Sequence, residues 1–200
     1  GGSTSLKERH ILLDRCDKLI FVSNWVKEKF FEKFEKKNHQ KCEVIYPSID
    51  RLKRFPKKSN IISFVGKLNR SKGFHIFGTA IIRILKKYKN WKAIVVGDEP
   101  REKYNFNHKN LEYKGWISHS KTLNLYNNTS ISIVPSEWEE PFGRTAVEAA
   151  SRGCATIVSK RGGLVETIPN AIFLTELNDN ELFKKISFLI RNKKYRKALQ

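Results

Sequence analysis

From Ile61 to Thr175 the chain alternates short apolar runs with longer stretches of helical periodicity, and each connection is too long for a hairpin. The runs read IISFVG, WKAIVVG, LEYKGW, SISIVPS, ATIVS and AIFLT. Between them lie GFHIFGTAIIRILKKYK, SKTLNLYNN, GRTAVEAASR and the short turn LVETI, and one or two helices follow from Asn178. Strands joined by helical crossovers run parallel, and the helices of such a sheet cover both its faces. The pattern therefore predicts an α/β fold, a doubly wound parallel sheet of Rossmann-like type, whose ligands bind beyond the carboxyl ends of the strands.

A shorter alternation precedes it. KLIFVS, NWVKEKFFEKFEKK and CEVIYP read as strand, helix and strand, with Ser23 or Asn24 as the helix cap and Val26, Phe30 and Phe34 on one helical face. Trp25, Phe30, Phe31 and Phe34 among lysines also suit a helix lying on an anionic membrane, but packing against a sheet accounts for the same apolar face. The stretch SIDRLKRFPKKSN then loses all periodicity and reads as a linker. Residues 1–5, GGSTS, read as a cloning remnant, and the absence of an initiator Met suggests a piece of a longer protein.

The 39 Lys and Arg against 20 Asp and Glu give a formal net charge of +19. Such a surface favours an anionic partner: nucleic acid, a phosphorylated ligand or an acidic membrane. Genome composition also produces a Lys-, Asn- and Ile-rich chain, so the sign alone does not choose among them. Cys16, Cys42 and Cys154 form no CxxC pair and have no His at ligand spacing, which indicates neither a disulfide framework nor zinc and fits a reducing cytoplasm. His10, His39, His75, His108 and His119 are scattered and read as structural or solvated. No apolar run reaches the roughly 18 residues of a membrane span.

Three glycine-bearing loops follow strands: VGKLNRSKG, VGDEP and PSEWEEPFG. In the first, Gly66 ends a strand and Lys67 and Lys72 flank a turn, an arrangement that suits a diphosphate; a solvated basic turn is the plainer reading. The text is neither a P-loop nor a GxGxxG fingerprint. In the third, Pro141-Phe142-Gly143 leads into a helix whose first N–H groups, near Gly143, Arg144 and Thr145, attract phosphate. Glu148 lies just over one turn inside that helix, where a carboxylate can accept from vicinal hydroxyls, as an acidic group does for ribose. Glu140 precedes the turn and would face a sugar hydroxyl. The plainer reading makes Glu148 an exposed helix residue and Glu140 a favourable charge at the helix start.

Glu140 and Glu148, with seven residues between them, resemble the E-x7-E motif of retaining GT-B glycosyltransferases of family GT4. FVGKLNRSKG resembles that family's G-R-x-x-x-K-G loop, EYKGWIS its strand and turn, and EPFGRTAVEAASRGCATIVSKRGGLVETI its donor-binding core. CDKLIFVSNWVKEKF and EVIYPSID resemble the end of the preceding domain and the interdomain crossing.

The resemblance implies the C-terminal half of a GT-B fold: residues 6–50 as the tail of an N-terminal Rossmann-like domain, 51–59 as an interdomain linker, and 60–200 as the nucleotide-sugar-binding domain. It implies a hexosyltransferase in which Lys67 and Lys72 hold the donor diphosphate, Glu148 takes the ribose and Glu140 contacts the transferred sugar. Gly66 and the backbone near Phe142, Gly143, Arg144 and Thr145 complete the donor site, with Trp116 and Ile117 beside the base. Glu140, Lys67 and Lys72 are then the catalytic set, because departure of a nucleoside diphosphate builds negative charge that cations stabilise. No metal or other cofactor is implied, and the D-x-D signature is absent. Lys67 stands where the family usually has Arg, which loses the bidentate fork, and YPSID replaces P-N-G-[VI]-D. The implied partners are a nucleoside-diphosphate sugar and a glycan or lipid-linked acceptor held by an N-terminal domain, at the inner face of the cytoplasmic membrane. The chain by itself would bind donor without catalysing transfer. Rival readings are a basic nucleic-acid-binding module, and an epimerase or phosphorylase of the same fold.

Overall fold

The computed structural model describes residues 5–34, 39–50 and 52–200. The chain forms two compact units, Gly1–Ser48 and Ile49–Gln200.

The first unit contains α1 (Leu6–Arg15), β1 (Leu19–Phe21), α2 (Asn24–Phe31) and β2 (Cys42–Val44), with the two strands paired in parallel. The sequence reading did not anticipate α1, whose helical signal is faint because only Leu13 of its ten residues is buried. A capping box starts it: Ser5 Oγ accepts from the Glu8 N–H, and the Glu8 carboxylate accepts from the Ser5 N–H. Ser23 is the cap of α2, its hydroxyl accepting from the Val26 N–H. The helix ends at Phe31, earlier than expected, because Lys33 takes a left-handed backbone (φ 73°) and Arg9 Nη1 donates to the carbonyls of Lys29, Phe30 and Glu32. Residues 35–37 of the expected helix lie outside the described residues. Phe30, Phe31 and Phe34 pack with Phe21 around Leu13 and Cys42, so packing explains the apolar face.

The second unit holds β3 (Ile61–Val65), a 3-10 turn (Arg70–Lys72), α3 (Phe74–Lys87), β4 (Lys92–Val96), β5 (Leu111–Tyr113), α4 (His119–Asn128), β6 (Ile131–Val134), α5 (Arg144–Ser151), β7 (Ala155–Ser159), α6 (Leu164–Thr167), β8 (Ile172–Leu174), α7 (Asp179–Arg191) and α8 (Lys193–Ala198). Its six strands run in the order β5-β4-β3-β6-β7-β8, all parallel, as the alternation predicts. Side chains alternate between two faces. Ile62 and Phe64 of β3, Ile131 and Ile133 of β6, and Ala155 and Ile157 of β7 join α3 and α7 in the main core. Val134 of β6 and Val158 of β7 face the other way, onto Ala146 of α5 and Leu164. Tyr126 of α4 packs with Ala149 and Cys154 on that second side.

Residues 52–60 form neither helix nor strand and belong to this unit. Lys58 Nζ donates to the carbonyls of Tyr126, Asn127 and Arg152, at the carboxyl ends of α4 and α5, where a cation complements the helix dipole. Its burial lowers its pKa. Arg196 plays the same part for α7, donating to Leu189 and Ile190 carbonyls with its guanidinium 5.0 Å from the Trp91 ring centroid. Cys16, Cys42 and Cys154 are free thiols. Among the described residues no helix is long and apolar enough to cross a membrane.

The turn into α3 is built on Gly73, which sits at φ +69° with its Cα against β6; a Cβ there would stand 1.8 Å from the Pro135 carbonyl oxygen. Gly73→Ala combines a left-handed non-glycine residue with a backbone collision, so it should lower unfolding stability by at least about 1–3 kcal/mol. Urea denaturation of the variant beside the native chain measures this, and an unchanged midpoint would contradict the packing described.

Candidate functional site

The strands β3 and β6 are neighbours, yet the helix after β3 lies on one face of the sheet and the helix after β6 on the other. Such a switch point opens a crevice at the strand ends. Here it is a cavity of about 200 Å³ lined by Phe64 and Val65 from β3, Gly66 just after it, Lys72 from the 3-10 turn, Ile133 and Val134 from β6, Glu140, and Arg144 and Thr145 from α5.

Two loops close on each other across it. Asn69 Oδ1 accepts from the Lys72 N–H and the Ser71 hydroxyl, which shapes the 3-10 turn. The Ser71 carbonyl then accepts from the N–H groups of Glu137 and Trp138, at 3.0 and 2.9 Å. With the backbones so joined, Lys72 Nζ meets Glu140 Oε1 at 2.7 Å. Ser136 Oγ lies 2.7 Å from the same oxygen and 3.1 Å from the Ser71 carbonyl. A hydroxyl has one proton, and the shorter, charge-assisted contact claims it. The Lys72 and Glu140 side chains are 30 % and 12 % exposed, so the pair is only partly shielded from water.

Glu139 holds the far side of the loop, where its carboxylate accepts from the Gly162 N–H and from Arg161 Nη1. The Glu140 carbonyl accepts from the Gly163 N–H. Gly143 turns the chain into α5 with φ +85°, beside Leu164, and no side chain caps the helix. The N–H groups of Arg144 and Thr145 are therefore left to whatever enters the cavity, while the Ala146 N–H donates to the Gly143 carbonyl.

Glu148, 4 % exposed, lies one turn further along α5. Both of its protein donors converge on Oε1: Arg144 Nε at 2.9 Å and His119 Nε2 at 3.0 Å. His119, read from the sequence as structural or solvated, is 54 % exposed at its side chain and also contacts a carboxylate of the candidate site. No local pattern could reveal this, because the two residues are 29 positions apart.

The structure brings together Gly66, Lys72, Glu140, Arg144 and Thr145, and places Glu148 next to Arg144. The Phe142 side chain is buried, and its carbonyl accepts from the Thr167 hydroxyl. Lys67 is exposed at the end of β3 and acts electrostatically on Glu99. Trp116 is 80 % exposed beyond β5. Ile117 lines a different hollow with Ile61, Ile94, Lys121 and Leu125. Sequence reasoning also missed Ser136, Asn69 and the Glu99–Arg101 pair.

The comparisons with known proteins agree with this architecture. A family model, glycosyl transferases group 1, matches residues 47–200. The chain belongs to that family. Among curated relatives of this group 1 glycosyltransferase chain, an uncharacterized 42.6 kDa protein in the cps region of Klebsiella pneumoniae is 27 % identical over 189 residues, which cover 86 % of this chain and 46 % of the relative. The lipopolysaccharide 1,2-N-acetylglucosaminetransferase of Salmonella typhimurium is 29 % identical over 128 residues, covering 57 % and 34 %. The chain thus spans about half, or less, of the length of these relatives. Among solved structures, Anabaena Alr3699/HepE in complex with UDP and glucose superposes with a TM-score of 0.80 at 18 % identity, covering 98 % of this chain and 60 % of that one. The C-terminal domain of the group 1 protein LpcC from Francisella tularensis gives a TM-score of 0.63 at 28 % identity, covering 72 % and 82 %. The expected fold, the GT-B type of α/β sheet, is shown.

In the loop after β4, Glu99 accepts from Arg101 Nε and Nη2 at 2.7 and 2.8 Å. These hydrogen bonds hold its pKa down at about 2, against an ordinary 4.5. A carboxylate with a depressed folded pKa adds stability above its unfolded pKa and loses it as pH falls toward the folded one. The stability difference between the native chain and Glu99→Gln should therefore be flat above about pH 5, then shrink as pH falls from 4.5 to about 2. Chemical denaturation of both chains across that window checks it, and a difference that grows with acid would contradict the assignment.

Proposed function

We propose that this chain is the donor-binding half of a retaining glycosyltransferase that works without a metal ion and moves a sugar from a nucleoside diphosphate to a glycan or lipid-linked acceptor. One observation carries the reading: a cationic side chain, a carboxylate and an uncapped helix N-terminus meet around one crevice at the β3/β6 switch point.

In this reading the diphosphate lies against Lys67, Lys72 and the first-turn N–H groups of α5 at Arg144 and Thr145. Glu148 accepts from the ribose hydroxyls, and the exposed Trp116, with Ile117, flanks the base. Glu140 contacts the transferred sugar, and Gly66 and Gly143, lacking side chains, let backbone come close to the ligand. During transfer the bond from the anomeric carbon to the diphosphate oxygen breaks with its electron pair on the oxygen, and an acceptor hydroxyl oxygen bonds to that carbon while its proton passes to the departing diphosphate. The charge that builds on the diphosphate is stabilised by preorganised cations and helix amides, the term that usually dominates such catalysis. These groups supply the positive charge for which other enzymes use a metal ion.

The Lys72–Glu140 pair holds both side chains in place before donor arrives, and a diphosphate would compete for the ammonium group. The Glu140 and Glu148 spacing supports retention of configuration. The relatives' greater length supports an acceptor site in sequence beyond the matched half, with residues 6–50 as the tail of that domain and 51–59 as the crossing. Such a protein would act at the cytoplasmic face of the membrane, and the half described here would bind donor without completing transfer.

Calorimetric titration with UDP, GDP and ADP and their sugar conjugates, at two salt concentrations, tests the site. One nucleotide should bind selectively. Lys72→Ala and Glu148→Ala should each weaken binding by about tenfold or more, the usual cost of losing a charge-assisted hydrogen bond. Undiminished nucleotide binding by both variants would overturn the reading. So would binding only to nucleic acid, decaying steeply with salt.

A further inference from the structure

We infer that His119 is a positioning residue for the ribose, acting through Glu148. The inference rests on the donor-site reading above and extends it to a residue outside the recognised motif.

A carboxylate has two oxygens, each able to accept two hydrogen bonds. In Glu148 both protein donors fall on Oε1, and no donor among the described residues reaches Oε2. The arrangement fixes the plane of the carboxylate while leaving one oxygen for a ligand hydroxyl. Since the carboxylate accepts only, the imidazole must carry its hydrogen on Nε2.

The two donors differ in kind. Arg144 belongs to the same helix as Glu148, four residues earlier; its side chain is 70 % exposed and itself lines the cavity. An incoming phosphate competes with Glu148 for that guanidinium. His119 comes from another element: it is the first residue of α4, and α4 packs on α5. The turn before it is tied to the sheet by the Gly97 N–H donating to the Gly115 carbonyl. When Arg144 turns toward phosphate, His119 still holds Oε1. Its effect should therefore appear in the ligand's ribose hydroxyls and nowhere else.

The test uses the full chain and its His119→Ala and His119→Gln variants. Each is titrated with UDP, GDP and ADP and with the 2′,3′-dideoxy form of each, and thermal melting verifies folding. For the nucleotide that binds, His119→Ala should weaken the ribose form about five- to tenfold and leave the dideoxy form within about twofold. His119→Gln, whose amide nitrogen also donates, should recover most of the loss. Equal losses on ribose and dideoxy forms would mean a structural role and would overturn the inference, as would no loss on either. If the native chain binds no nucleoside diphosphate, the donor-site reading itself fails and takes this inference with it. Native binding with an unchanged ribose-to-dideoxy ratio in His119→Ala sinks this inference alone.

Discussion

Where β3 and β6 lie side by side, the chain leaving each strand turns to opposite faces of the sheet. This divergence is what leaves room for a ligand, and two close contacts keep the room small. Gly73 presses against the Pro135 carbonyl, and the Ser71 carbonyl takes two backbone N–H groups from the loop after β6. Backbone contacts of this kind tolerate little change of shape, so the side chains mounted on them start from fixed positions. Lys72 and Glu140 are 68 residues apart in the chain and 2.7 Å apart in space because of them.

The large positive charge is partly internal to the fold. Arg9, Lys58 and Arg196 each donate to main-chain carbonyls near a helix end. Such placement offsets the negative end of the helix dipole and satisfies carbonyls that have no partner within the helix. Acidic residues of the strand-end loops and of α5 are equally committed, Glu99 to Arg101, Glu139 to Arg161, Glu140 to Lys72 and Glu148 to Arg144 and His119. A net charge of +19 therefore does not translate directly into a nucleic-acid surface.

The continuous apolar runs of β3, β6 and β7, which the sheet buries on both faces, and the long crossovers made the sheet legible, because both follow from local sequence. Gly143 and the E-x7-E text were legible for the same reason. Three things were not. α1 buries one residue and so carries almost no amphipathic signal. The end of α2 is set by Arg9, twenty residues upstream of the nearest carbonyl it caps. The contacts of Glu140 with Ser136 and of Glu148 with His119 depend on loop geometry and helix docking, which no spacing rule encodes. Trp116 shows the converse: its motif was readable, yet the folded chain leaves its ring exposed beyond β5.

The central claim is that nucleoside diphosphate occupies the crevice between β3 and β6 and meets the helix N-terminus at Gly143. Amide nitrogen–proton correlation spectra of the isotope-labelled chain, recorded during separate titrations with UDP, GDP and ADP, test it most directly. The account predicts that the largest shifts for the bound nucleotide fall on Gly66, Lys72, Gly143, Arg144 and Thr145. Shifts centred instead on the hollow lined by Glu181, Lys184 and Phe188, or spread evenly over the basic surface, would contradict it.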